Sequence, residues 1–167
     1  MSVRFGKGAR LAVALVIGAA GAGAALAHED LGPVPNTPAA HAAAARHQNF
    51  KQLGGAFKAI NDELKKDAPD KAVVVANAAK MHTLASQLPS WFPKGSGAES
   101  QVKTAAKPEI WSDPAGFAAA AQRLQAETGK LQQFAAAGDL AAVKAQVPAT
   151  GGACKNCHDK FRVPETH

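Results

Sequence analysis

Three residues near the end of the chain have the types and spacing to do chemistry: Cys154, Cys157 and His158, in the run Cys154-Lys155-Asn156-Cys157-His158. On a helix, positions i, i+3 and i+4 share a face, so all three side chains project toward one object. Cys-X-X-Cys-His is the attachment signature of c-type haem. Each thiol can add to one vinyl group of a porphyrin, and the adjacent imidazole can reach the iron as its proximal axial ligand. These are the chain's only two cysteines, and other uses of such a pair fit less well. A structural zinc site takes four Cys or His ligands, and no second pair lies close in sequence. A thioredoxin-like dithiol needs a strand-turn-helix setting that a helical chain does not provide.

The compartment agrees with attached haem. Arg4, Lys7 and Arg10 precede an uncharged run from Leu11 to Ala27, which ends Ala25-Leu26-Ala27 and gives way to His28-Glu29-Asp30. A positive end, an apolar stretch and a small-X-small site is the order of a secretory signal peptide. The run is dominated by Ala and Gly and falls short of the roughly 20 strongly apolar residues of a spanning helix. Residues 1–27 are therefore expected to be removed, which predicts a mature chain outside the cytoplasm and free of the membrane. Their loss takes three cations and no anions from 19 Lys+Arg and 13 Asp+Glu, leaving a net charge of +3. Nothing in that balance demands nucleic acid or an anionic lipid surface.

The elements that must position the motif are helical. The chain has 167 residues, of which 40 are Ala, with no Tyr and 5% aromatics. Ala is the best helix former, while the β-branched and aromatic residues that favour strands are scarce. After an extended, Pro-rich lead-in over 28–37, Thr37-Pro38 predicts a helix start, and Phe50, Leu53, Phe57, Ile60 and Leu64 form its apolar seam to about Lys66. A second helix is expected from Pro69 to Leu88 on Val74, Met81, Leu84 and Leu88. The stretch from Pro89 to Ser112, with Pro93, Gly95, Gly97 and Pro108, predicts a long crossover loop. Asp113-Pro114 opens a third helix to about Ala137, and Gly138-Asp139 ends it and caps the next. In the fourth, Leu140, Val143, Val147, Thr150, Cys154, Cys157 and Phe161 alternate steps of three and four across Pro148 and Gly151-Gly152. This predicts one bent helix with both cysteines on its inward seam. Four such helices with one long connection make an all-α four-helix bundle, spanning 38–167.

The segment from Cys154 to Arg162 also resembles the haem-binding end of cytochrome c-prime, the class II c-type cytochromes. Ala106-Lys107-Pro108-Glu109-Ile110-Trp111 is similar to that family's loop before the third helix, and Arg46 followed four residues later by Phe50 resembles its first-helix pattern. The resemblance implies an antiparallel, left-twisted four-helix bundle with haem c inside, often a homodimer, with a five-coordinate high-spin iron that carries electrons or binds NO and CO in the periplasm. Cys154 and Cys157 match the thioether residues and His158 the axial ligand. Arg162 matches an arginine near the proximal face, and Arg46 one beside the haem propionates, where a guanidinium fork suits a carboxylate. Phe50 matches the distal position, which is apolar in this family and a methionine ligand in its six-coordinate relatives. His47 stands where the family more often has glutamine, a candidate for a distal or propionate contact. The family's dimer contact uses the outer faces of the first two helices, where Ala39 to Ala45 offers a small-residue surface.

Phe50 has no lone pair to give iron, so the sixth position is expected to stay open beneath an apolar cover. Such a cover offers no hydrogen bond to bound O2, which relies on one more than NO or CO does. Met81 and His82 of the second helix are the other side chains able to approach the iron. A carrier or gas binder without turnover is therefore expected, with redox proteins as partners. The alternatives are a six-coordinate low-spin electron carrier, or a haem enzyme acting on NO or peroxide, which needs a distal acid-base group. A secreted bundle whose cysteines are incidental is a third.

Overall fold

A computed structural model describes residues 31–164; the expected signal peptide lies outside the described residues. The first helix, α1 (Pro38–Glu63), begins where Thr37 Oγ1 accepts the Ala40 N–H at 3.2 Å, with Pro38 at its first position. A hydroxyl cap satisfies one of the orphan donors of the first turn, and proline loses nothing there. The second helix, α2 (Lys71–Gln87), begins two residues later than Pro69, because Asp70 is its cap and accepts from Ala72 N at 2.8 Å. Leu88–Trp91 then tightens into a 3-10 turn at Pro89.

The crossover segment is irregular, as expected, but holds a second 3-10 turn at Ala98–Ser100 and a one-turn helix, α3 (Glu109–Ser112). Asp113 accepts from Gly116 N at 2.9 Å and starts α4 (Pro114–Ala136). Gly138, at φ +70°, takes the left-handed conformation that closes α4, and Asp139 caps α5 (Leu140–Phe161) through Ala142 N at 2.9 Å. The last helix runs through Pro148 and the Gly151-Gly152 pair without interruption. No strand occurs among the described residues; one isolated bridge joins Ala106 to Arg162.

In the bundle α1 packs on α2, α2 on α4 and α4 on α5. The α2–α4 approach is close at Gly129, where a Cβ would lie 3.3 Å from His82 Cε1. By contrast the backbones of α1 and α5 stand apart, and side chains span the gap: a Cβ at Gly151 would meet Phe57 Cζ at 3.7 Å. The main core runs through Leu53, Ile60, Val74, Met81, Leu131, Val143 and Phe161. A second, smaller core gathers Leu31, Ala40, Ala43, Ala44 and Val102, with Val34 against it. Within the lead-in, residues 31–37 hold no regular element, yet Leu31 and Val34 pack against the bundle. This also consumes much of the alanine surface expected to serve a dimer, since Ala40, Ala43 and Ala44 are buried within the chain itself.

Candidate functional site

Separating α1 from α5 leaves a cavity of about 980 Å³, and Cys154, Cys157, His158, Arg46, His47, Phe50 and Arg162 all line it. All seven residues picked out from the sequence thus meet in one space. The volume is at the upper end of the roughly 300–1,000 Å³ usual for cofactor pockets. The walls are mainly apolar, with Phe50, Leu53, Phe57, Met81, Phe92, Phe117 and Leu124 among them. The polar lining is Arg46, His47, Lys51, Lys103, Thr104, His158 and Arg162, and no carboxylate lines it among the described residues.

The end of α5 is pinned by the crossover segment. Lys107 N donates to the Phe161 carbonyl at 3.0 Å, Val163 N to Ala105 O at 2.8 Å, and Lys107 Nζ to Asp159 O at 3.2 Å. Lys160 Nζ meets Asp113 Oδ2 at 2.5 Å, tying the last turn of α5 to the cap of α4. Cys154 and Cys157 are half-buried against the core. Burial pushes the Cys154 thiol up and that of Cys157 up to about 11, so both carry their protons at neutral pH. Arg162 caps α5 one turn beyond His158, and its N–H donates to the His158 carbonyl at 3.0 Å. Its backbone is extended, at φ −118° and ψ 134°, and pairs with Ala106.

Arg46 is buried, and its fork is directed at the crossover segment. Nη1 donates to Ser96 Oγ at 3.0 Å and to Trp91 O at 3.3 Å; Nη2 donates to Ser96 O at 2.8 Å and to Thr104 Oγ1 at 3.0 Å. Its guanidinium carbon lies 4.6 Å from the centre of the Phe92 ring. Burial pushes Arg46 down to about 10, with Glu99 pulling the other way, and it stays cationic at neutral pH. Phe50 is half-buried and meets Trp91 edge-on, with centroids 5.2 Å apart, and Phe92 at 6.2 Å. Phe92 continues the chain of edge contacts to Phe117, at 4.8 Å, and Phe117 to Phe161, at 5.4 Å. Edge-to-face pairs of this kind fix ring orientation as well as burying area. Phe92 and Thr104 are site residues that the sequence reading missed, since both fall in the segment without a period; Ala106 and Ile110 lie in the stretch that resembles the family's loop but were given no role at the site.

The structure separates Met81 from His82. Met81 is fully buried and lines the cavity. The His82 ring instead packs against α4, with Nδ1 3.5 Å from Thr128 Oγ1, and is not part of the cavity wall. Among the described residues no group of three or more His, Cys, Asp or Glu side chains is arranged to hold a metal ion. No helix among them is long and apolar enough to cross a membrane.

The residues fit a covalently held porphyrin. Two thiols and an imidazole line a large, mainly apolar cavity, and a buried nitrogen, His47 Nε2, has no hydrogen-bond partner among the described residues. Comparison with known proteins agrees. The family profile described as Cytochrome C' matches residues 41–162. Cytochrome c' of Rubrivivax gelatinosus is 42% identical over 118 residues, covering 70% of this chain and 90% of that protein. A cytochrome c' variant from Alcaligenes xylosoxidans, solved in the ferrous state with bound NO, is 31% identical with a TM-score of 0.66, covering 74% of this chain and 94% of the other. A second variant from that organism, solved with bound carbon monoxide, is 31% identical with a TM-score of 0.68, covering 77% and 98%. With the profile, the relatives and the antiparallel, left-twisted bundle in agreement, the chain belongs to the cytochrome c' family, and its cofactor is covalently attached haem c.

Proposed function

We propose that this chain is a periplasmic haem protein that binds NO and CO and passes electrons at a five-coordinate, high-spin iron, without turnover. One observation carries the reading: Cys154, Cys157 and His158 at the end of α5 open into the same cavity as Phe50 of α1. When bound, the cofactor supplies one-electron chemistry and a coordination position for a diatomic ligand.

The residues divide the work. Cys154 and Cys157 would hold the group through two thioether bonds, each the net addition of an S–H across a vinyl group. His158 would supply an imidazole nitrogen to the iron, and the clamp from Ala105 and Lys107 holds the turn that presents it. Phe50 offers no lone pair and, fixed by Trp91 and Phe92, would be an apolar cover over the bound group. Leu53, Phe57, Met81 and Leu124 exclude water. Arg46 and Arg162 place positive charge at the wall, which favours the cofactor's carboxylates. No carboxylate lines the cavity among the described residues, so an acid-base role in peroxide or NO turnover would fall to His47, whose replacement would test it. The signal-peptide pattern of residues 1–27 and the +3 charge of the remainder support export, with 28–37 as lead-in and 38–167 as the bundle. Homodimer formation would use the exposed side of α1 and α2, where Val75 is an exposed large apolar residue.

The test is expression of the full chain with haem-maturation machinery. The expected product starts at His28, carries the mass of one haem, and shows high-spin ferric optical and EPR signals that change on adding NO. Colourless material with the mass of the bare polypeptide overturns the reading.

A further inference from the structure

One hydroxyl of the crossover segment stands between α1 and the end of α5. Thr104 lines the cavity, and its Oγ1 accepts the Arg46 Nη2–H at 3.0 Å and the Ala106 N–H at 3.2 Å. The second of these bonds closes a tight turn in which a threonine side chain takes the amide two residues on, and so it shapes residues 104–106. Both lone pairs of the hydroxyl are then in use.

The residues that follow hold the end of α5. Val163 N donates to Ala105 O at 2.8 Å and Lys107 N to Phe161 O at 3.0 Å, on either side of the bridge between Ala106 and Arg162. Arg162 N reaches back to the His158 carbonyl at 3.0 Å, and Lys107 Nζ donates to the neighbouring Asp159 carbonyl at 3.2 Å. A continuous run of contacts therefore leads from the buried Arg46 guanidinium through Thr104 to the turn that carries His158. Ser96 and the Trp91 carbonyl hold the same guanidinium, so the run is anchored at its α1 end.

Resting on the haem reading above, we propose that Thr104 is a positioning residue for the axial ligand: its hydroxyl ties the strap of residues 104–107 to Arg46, and the strap holds the turn that presents His158. Groups behind a metal ligand fix its orientation and tune its strength. Without the hydroxyl, the Arg46 Nη2–H and the Ala106 N–H lose their shared acceptor, the strap loosens and the imidazole can tilt. Ser96 has no such place. Its hydroxyl also accepts from Arg46 but donates to Pro93 O, away from α5.

The experiment uses the haem-loaded full chain with Thr104→Val, Thr104→Ser and Ser96→Ala. Thr104→Val keeps the branched shape and removes the hydroxyl. Its iron–histidine stretching band, read by resonance Raman within nanoseconds of CO photolysis, is expected to broaden and move to lower frequency, and its Ala106 and Val163 amides to exchange faster. Thr104→Ser keeps the acceptor and is expected to restore band and exchange, while Ser96→Ala is expected to leave both as in wild type. An unmoved band in Thr104→Val overturns the proposal, as does a Thr104→Ser band that follows it. A band displaced equally by Ser96→Ala also overturns it, since the effect is then a general loosening of Arg46. If Thr104→Val does not take up haem, wild type and Thr104→Ser decide. Ala106 and Val163 amides protected together in both support the strap, and an Ala106 amide that exchanges as fast as an open loop overturns it. Wild-type material without covalent haem is a separate failure, which overturns the haem reading and the proposal with it.

Discussion

Arg46 and Ser96, 50 positions apart in sequence, are joined twice: Nη1 donates to the Ser96 hydroxyl at 3.0 Å and Nη2 to its carbonyl at 2.8 Å. One buried guanidinium thereby anchors the crossover segment to α1 and sets the wall on which Phe92 lies. A fork that serves four acceptors cannot be replaced by a point charge. Arg46→Met is expected to destabilise the protein by about 2–4 kcal/mol, chiefly by leaving the Ser96 and Trp91 carbonyls unpaired. Arg46→Lys should recover less than half of that loss in urea unfolding.

The same residue gives a pH expectation. Arg46 is pushed from 12.5 down to about 10 by burial. Below that value it is charged in both the folded and unfolded chain, so the stability difference between wild type and Arg46→Met should be constant from pH 5 to 9. Above it the unfolded chain holds the proton more tightly than the folded one, and stability linked to this group rises with pH. A difference that already changes between pH 6 and 8 would mean that another group is responsible.

Carboxylates govern the acid side. Asp113 is held below the usual range first by Lys160 and then by the Gly116 N–H; Glu63 by Lys66 and the Asp70 N–H; Glu127 by Gln146 and Lys130. Depressed carboxylates contribute stability that is present above their unfolded-state value, about 4, and is lost as pH falls through their folded values. The melting temperature is therefore expected to be flat with respect to these groups from pH 5 to 8 and to fall below pH 4. Asp113→Asn should lower the plateau and shallow the acid decline, because it removes both the ion pair to α5 and the charge at the start of α4.

How far the site could be read from residues alone follows the chain's regularity. The helices show in the alternation of threes and fours, and their starts in Thr37, Asp113 and Asp139, each of which accepts a first-turn N–H. Asp70 was missed because Pro69 mimics a first helical position, whereas the carboxylate after it does the capping. The motif at Cys154 is local and needed no fold to be seen. Phe92 and Thr104 carry no local signal, since their place at the cavity is set by closure of an irregular segment onto Arg46 and onto the end of α5. The packing of Leu31 and Val34 on the α1 alanines is likewise tertiary, and no period announces it.

Phe50 is the residue whose replacement should change the iron's coordination. Phe50→Met puts a thioether where the ring now sits, and a six-coordinate low-spin ferric spectrum is expected, with lower affinity for CO. Phe50→Ala instead opens the cover: CO and NO association should quicken, at a stability cost of about 2 kcal/mol, below the 3–5 kcal/mol of a fully buried phenylalanine because this one is half-buried. Unchanged spectra in Phe50→Met would place the ring away from the ligand side.

Met81 supplies the complementary control, because it is the cavity-lining thioether already present. Met81→Leu conserves volume at a fully buried position, so its cost should stay below about 1.5 kcal/mol. If the sixth position is open, the ferric spectrum of Met81→Leu is high-spin and matches wild type. A wild type that is low-spin and becomes high-spin on this substitution would make Met81 the sixth ligand, and the protein a six-coordinate electron carrier whose gas binding must first displace that sulfur. His82, turned toward Thr128 of α4, should leave the spectrum unchanged when replaced by Gln in either case.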